Sequence, residues 1–315
     1  MRRKLRWLHY SVGIGAFLLA VFPCGAQEQP ASSSSVSVST VVTVLGPKYT
    51  PPRALSKDDI LVHEGQARKD ILDWVPAQGD RAGLELAIVI DESTRKSLGK
   101  QFDDLADFIN SLPQSASVGI FYASNGTVSA ASQFGPDHEA AANALRLPIG
   151  STQAYSSIYN SVMDLISRWP VSNARREILL LSDGLDRLQG GQNGPNVRSA
   201  IEKTQQAGII IHAIFVSGIG VAGRRQSGAV TGQGNLNALV EGSGGKAFFQ
   251  GFATPISFQP FLAQLDVVLR NQYFLAWTTQ RSKNAKGELR SFKVTTEQRG
   301  VEITAAPKIF VPAEK

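Results

Sequence analysis

The stretch LELAIVIDESTR, residues 84–95, decides how this chain folds. Its near-continuous apolar run ends in an acid. Only a strand covered on both faces keeps both of its alternating side-chain sets apolar, so a central strand is expected here. That strand delivers Asp91 and Ser93 to its carboxyl end and places Arg95 two residues further on. Downstream, KQFDDLADFINSLP (100–113) sets Phe102, Leu105, Ala106, Phe108, Ile109 and Leu112 on one helical stripe and stops at Pro113. SVGIFYAS (117–124) reads as a second strand and GTVSAASQF (126–134) as a third at the edge. DHEAAANALRLP (137–148) predicts a short helix, and STQAYSSIYNSVMDLISRW (151–169) a long one with Ala154, Ile158, Val162, Leu165 and Ile166 inward. REILLLSD (176–183), GIIIHAIFVS (208–217) and GKAFFQG (245–251) are three further strands. Helical stretches at 196–208 and 235–244 separate them, and SFQPFLAQLDVVLRNQ (257–272) closes the set. Six strands interleaved with helices predict a doubly wound, mostly parallel α/β sheet.

The flanks change rhythm to period two. SVSVSTVVTVLG (35–46) alternates valine with serine and threonine, and ILVHEGQARKDILDWVP (60–76) supplies two more short strands around a turn at His63-Glu64-Gly65-Gln66. At the other end QYFLAWTT, ELRSFKVTTE, VEITA and KIFVP follow one another with no helix between. A β unit of this size makes little core alone, so front and back strands are expected to pair as one small β-sandwich-like unit.

The first residues, MRRKLRWLHYSVGIGAFLLAVFPCGA, combine a basic start, an apolar run and a small-residue end, the pattern of a secretory signal cleaved after Ala26. The alternative is a retained single-helix anchor; Pro23 before Cys24 argues against lipidation. Loss of 1–26 removes four basic residues and no acid, taking the formal charge of +6 to about +2 and leaving no cysteine. The basic balance is then no nucleic-acid footprint, and no stable membrane span remains. The chain divides into a signal at 1–26, a linker with β strands at 27–81, an α/β domain at 82–271 and C-terminal strands at 272–315. An exported, periplasmic or secreted location is expected.

In open parallel sheets, ligands sit beyond the strands' carboxyl ends, near the point where strand order reverses. Three loops bring oxygen donors to that edge: Asp91 and Ser93, then Ser151 and Thr152 at the start of the long helix, then Asp183 in LLLSDG. Carboxylates and hydroxyls suit a hard cation such as Mg²⁺. Each residue also has a plain reading, since hydroxyls cap helices and Asp-Gly is a common turn. Glu92 is expected to face solvent, and Asp186 to serve the same turn as Asp183. No Gly-x-Ser-x-Gly elbow and no phosphate loop is present, and no histidine among His9, His63, His138 and His212 is placed near Ser93 by the pattern. His212, inside IIIHAIFV, reads as a hydrogen-bonded core residue. The glycine-rich segment 217–234, with Arg224 and Arg225, is either a specificity loop toward an acidic partner or a solvated insertion.

The succession of VIDES, GSTQAYSSIYNSV and ILLLSDGLD resembles a von Willebrand factor A-type domain over roughly 82–271, and the flanking strands resemble those of an exported, acidobacterial-type bacterial subgroup. The resemblance implies strand order 3-2-1-4-5-6, no enzymatic chemistry, and a metal-ion-dependent adhesion site that captures a partner's Glu or Asp through a bound divalent ion. Its ligands would be Asp91, Ser93, Thr152 and Asp183. The family's second serine falls on Arg95, a fixed cation that either bridges Asp91 and Asp183 as a metal surrogate or swings out and leaves a weak Mg²⁺ or Mn²⁺ site. A protein-interaction module with a degenerate site is therefore expected, with an unknown protein partner, no nucleotide and no nucleic acid. The alternative is a structural envelope protein whose site is silent and metal-free.

Overall fold

The computed structural model describes residues 35–149, 157–188, 194–218 and 225–314; the expected signal segment lies outside them. Residues Ser35–Lys315 form one compact unit. In chain order its elements are β1 (Ser35–Leu45), β2 (Ile60–Glu64), β3 (Ala67–Lys69), β4 (Ile71–Pro76), β5 (Leu84–Asp91), α1 (Phe102–Ser111), β6 (Ala116–Ser124), β7 (Thr127–Gly135), α2 (His138–Asn143) and α3 (Ile158–Arg168). Then follow β8 (Arg175–Ser182), α4 (Pro195–Ala207), β9 (Ile210–Phe215), α5 (Arg225–Ser243), β10 (Ala247–Phe248), α6 (Gln259–Arg270), β11 (Gln272–Gln280), β12 (Glu288–Thr296), β13 (Glu302–Thr304) and β14 (Lys308–Val311).

Six strands form the central sheet in the order β10-β9-β8-β5-β6-β7. All neighbours are parallel except β6 and β7, a hairpin closed at Asn125-Gly126. Read from β5 as first strand, this is the doubly wound order 3-2-1-4-5-6. The alternation within β5 explains why the strand had to be central. Leu86, Ile88 and Ile90 enter the layer of α1 and α6, while Ala87 and Val89 enter the opposite layer of α3, α4 and α5. Strand order reverses between β5 and its neighbours β6 and β8, so the two strands whose ends carry Asp91 and Asp183 lie side by side at the switch point.

The flanking strands build two four-stranded sheets, β13-β1-β11-β4 and β14-β12-β2-β3. Front pairs with back along nine residues of β1 and β11, from Ser35↔Gln280 to Thr43↔Gln272. Val42, Val62, Leu275, Trp277, Phe292 and Val311 fill the space between the sheets, with Trp277 stacked on Phe292 at 4.8 Å. One charge sits in that core. Glu64 accepts from Trp277 Nε1 (3.1 Å), Thr279 Oγ1 (2.7 Å) and Arg290 Nη1 (2.9 Å). Burial alone would raise its pKa, but these donors prevail and hold it below the ordinary glutamate value.

Two local expectations change. Residues 60–76 hold three strands rather than two: β2 and β3 form a hairpin in one sheet, and after Asp70 the chain crosses to the other sheet as β4, pairing with β11. The glycine-rich segment is helical from Arg225 onward. Gly232 is a contact surface rather than a breaker, since a Cβ there would lie 1.9 Å from the Asp183 carbonyl oxygen. Arg225 is therefore the first residue of α5, and Arg224 lies outside the described residues. Helix α3 begins after an Ser157 cap whose hydroxyl accepts from Asn160 N–H at 3.4 Å. Thr152, expected at the start of this helix, lies outside the described residues.

Candidate functional site

At the switch point β5 ends on Asp91, which is 2% exposed. Both of its oxygens are used. Oδ1 accepts from the Ser93 N–H (2.9 Å) and hydroxyl (2.7 Å), and Oδ2 accepts from the Ser182 hydroxyl (2.7 Å). Ser182 is the last residue of β8 and accepts from Gly184 N–H at 3.0 Å, so one hydroxyl ties the first strand end to the fourth. Thr94 closes the Asp91 turn by donating its hydroxyl to the Asp91 carbonyl at 2.7 Å.

Asp183 follows immediately and is equally buried. Its partner is Arg187, which the sequence pattern had not singled out. The guanidinium donates from Nη1 to Oδ1 (3.2 Å) and from Nη2 to Oδ2 (2.5 Å), while Leu185 N–H donates to Oδ1 at 3.0 Å. Burial pushes the Asp183 carboxyl above its ordinary range; Arg187 pulls it back and the nearby Asp91 adds to the rise. Burial also works against the charge on Arg187, but the Asp183 carboxylate outweighs it and the guanidinium is held above its ordinary value. Gly218 packs against the pair, where an added Cβ would meet Asp183 Oδ2 at 1.8 Å and Arg187 Nη2 at 2.8 Å. The turn itself requires glycine at 184, with φ of +69°, and its carbonyl accepts from the Tyr159 hydroxyl at 2.7 Å and Asn235 Nδ2 at 3.3 Å.

Arg95 does not bridge the two acids. Its Nε donates to the Gly218 carbonyl at 3.2 Å and the residue is exposed, because Thr94 pairs with Gly218 and turns the following residue outward. Glu92 also departs from expectation. It is 4% exposed, with Oε1 bound by Arg146 Nη2 (2.5 Å) and Oε2 by Ile149 N–H (2.6 Å). Arg146 lies over the Tyr122 ring at 3.7 Å, and the Tyr122 hydroxyl accepts from Arg146 N–H and donates to the Arg146 carbonyl. Asp186 serves its turn, accepting from Leu188 N–H and Asn196 Nδ2.

Beside Asp183 a groove of about 640 Å³ opens, lined by Arg95, Ser217, Gly218, Ala229, Phe252 and Thr254 among others. The Ser93 hydroxyl is committed to Asp91, and the two buried histidines are bonded elsewhere. His138 Nε2 meets the Ala116 carbonyl at 2.9 Å. Lys246 N–H donates to His212 Nδ1 and Nε2 meets Glu177 Oε2 at 2.7 Å, so both ring nitrogens of His212 are bonded within the core.

The donors do not fit a divalent ion as they stand. Asp91 accepts from two hydroxyls and an amide, Asp183 is held by a guanidinium fork, and a cation entering there would meet a fixed positive charge at bonding distance from its ligand. Among the described residues no group of three His, Cys, Asp or Glu side chains is placed to hold a metal ion.

A doubly wound sheet of this strand order, with acids at the ends of its first and fourth strands, has the architecture of a von Willebrand factor A-type domain. No family model matches the sequence, and no curated protein is similar to it. Solved structures show likeness at low identity. An aerotolerance-related membrane protein from Bacteroides fragilis is 13% identical, with 59% of this chain and 98% of that one covered at a TM-score of 0.43. The von Willebrand factor type A protein from Catenulispora acidiphila is 10% identical, with 91% and 76% covered at 0.42. The manganese-loaded TRAP protein of Plasmodium vivax is 14% identical, with 78% and 96% covered at 0.39. The fold class follows from the strand order; these likenesses add no site.

Proposed function

We propose that the chain is a non-enzymatic protein-interaction module of the cell envelope, whose partner docks on the rim built from Asp91, Ser93 and Asp183, with Thr152 assigned to the same edge. Export to the envelope is read from the signal-like N-terminus. One observation carries the docking reading: the rim combines a groove with exposed apolar and basic side chains, while its acids point inward. Phe252 forms a groove wall, and Leu147, Ile149, Leu188 and Ile256 stand exposed on neighbouring loops, with Ile256 at 89%. Leu147 lies against Gly99, the Ile149 amide is held by Glu92, and the Ile256 carbonyl accepts from Gln101. Between these apolar groups runs the segment from Arg95 to Gln101, with Arg95, Lys96 and Lys100 exposed. Exposed apolar groups around a polar centre mark protein-interaction surfaces. The partner that fits is a protein segment carrying acidic and large apolar side chains.

Site-specific photocrosslinking tests this in the cells that make the protein. A benzophenone amino acid at Phe252 or Leu147 is expected to give a discrete adduct, and one at Leu72, exposed on the sandwich, is not. Adducts from Leu72 alone, or none from either rim position, refute the docking reading and leave a structural role.

A further inference from the structure

We propose that Arg187 is the resident cation of this rim, and that removing it opens a divalent-cation site on Asp91, Ser93 and Asp183. The arrangement differs from a surface ion pair in three respects. First, the guanidinium takes both oxygens of Asp183, the carboxylate that would have to turn toward an ion, and only 14% of the Arg187 side chain is exposed. Second, the pair is locked by packing. A Cβ at Gly218 would collide with Asp183 Oδ2 and Arg187 Nη2, and Gly232 packs on the Asp183 backbone carbonyl from α5, so the segment that carries the carboxylate is held beside its partner. Third, among the described residues Arg95 is directed away from the pair, exposed and bound to a backbone carbonyl. The charge that a divalent ion would supply to Asp183 is therefore built into the chain four residues downstream. Asp91 keeps its shape through hydroxyls rather than through a cation, since Ser93 and Ser182 each donate to one of its oxygens. Those hydroxyls have lone pairs left over, which is the donor chemistry a hard cation takes once the competing guanidinium is gone.

This inference concerns the protein alone. Loss of the docking reading leaves it standing, and its own failure leaves the docking reading standing.

The test is titration of the full chain with Mn²⁺, following the free-ion resonance by electron paramagnetic resonance, for wild type, Arg187→Ser, Arg95→Ser and the double variant. Wild type and Arg95→Ser are expected to leave the free-ion signal unchanged. Arg187→Ser is expected to remove one equivalent of Mn²⁺. The double variant is expected to bind no more weakly than Arg187→Ser, because the Thr94–Gly218 bridge turns position 95 away from the acids and the charge removed there only repels a cation. One equivalent bound by wild type, or gain of binding in Arg95→Ser alone, overturns the proposal, as does silence in a folded Arg187→Ser and double variant. Should Arg187→Ser fail to fold, the remaining arms decide. An unshifted melting midpoint of wild type with millimolar Mn²⁺ or with chelator, together with silence of Arg95→Ser, supports the proposal; a rise with Mn²⁺ or a fall with chelator overturns it.

Discussion

Replacing Arg187 by methionine keeps most of the side-chain volume and deletes the guanidinium from a carboxylate whose side chain is 3% exposed. Breaking one side of a buried ion pair costs about 3–5 kcal/mol, because the remaining charge is stranded. Two features place this case at the lower end, near 3 kcal/mol. Leu185 N–H still donates to Oδ1, and the 14% exposure of Arg187 lets water approach the vacated side. Asp183→Asn removes the charge from the other side while leaving an amide oxygen for the guanidinium, at a cost of about 1–2 kcal/mol. In the double variant no charge is stranded, so the two changes are expected to be non-additive by about 2 kcal/mol. Urea unfolding followed by tryptophan fluorescence measures this. With a slope of about 1–3 kcal/mol per molar, Arg187→Met should lower the midpoint by about 1 M or more. Additivity within about 0.5 kcal/mol would show that Arg187 and Asp183 do not meet in solution, and the electrostatic account of the rim would fall with it.

Three further outcomes are expected. Gly232→Ala should destabilise by about 2 kcal/mol in thermal melts despite the better helix propensity of alanine, because its Cβ would stand 1.9 Å from the Asp183 carbonyl oxygen and α5 must shift; a stabilised variant excludes that contact. Glu64 has a folded pKa below its unfolded value, so its stabilising contribution is full above the ordinary glutamate value and is lost as pH falls through the lowered one; a pH series of urea midpoints should therefore show an acid limb that flattens in Glu64→Gln, and an unchanged limb assigns it to other groups. Glu92→Gln should speed hydrogen exchange at the Ile149 amide by about tenfold, corresponding to about 1.4 kcal/mol of lost charge-assisted bonding, and unaltered protection there refutes the clamp.

The parts of this molecule that were legible in the sequence are those whose signal is periodic or local. β5 announced itself because both of its faces are buried, and the turn after β8 because an acid and a glycine follow an apolar run. Illegible parts depended on distant partners. Glu92 turns inward because Arg146 and Ile149, more than fifty residues away, are brought to it by the end of α2. The start of α5 was hidden because Gly228, Gly232 and Gly234 lower helix propensity, and the close approach that repays the loss is visible only when Asp183-Gly184 is in place. Arg187 lies four residues after Asp183, but not in a helix, so no spacing rule marked it. Arg95 drew attention because it occupies a position that the family resemblance assigns to a hydroxyl, yet the Thr94–Gly218 bridge decides where it points.

These distant contacts also set the charge the rim presents. Asp91 accepts from two serine hydroxyls, Glu92 from Arg146 and the Ile149 amide, Asp183 from Arg187, and Asp186 from Asn196 and Leu188. All four carboxylates are buried, whereas Arg95, Lys96 and Lys100 are exposed and Arg146 is partly so. A rim that the sequence would score as acidic therefore faces outward as basic. On the docking reading, attraction to an acidic segment acts through these exposed cations, over a screening length of about 10 Å at 0.1 M salt. Association should then slow as ionic strength rises. Chelator should leave it unchanged, because the charge nearest the groove belongs to an arginine and cannot be stripped away.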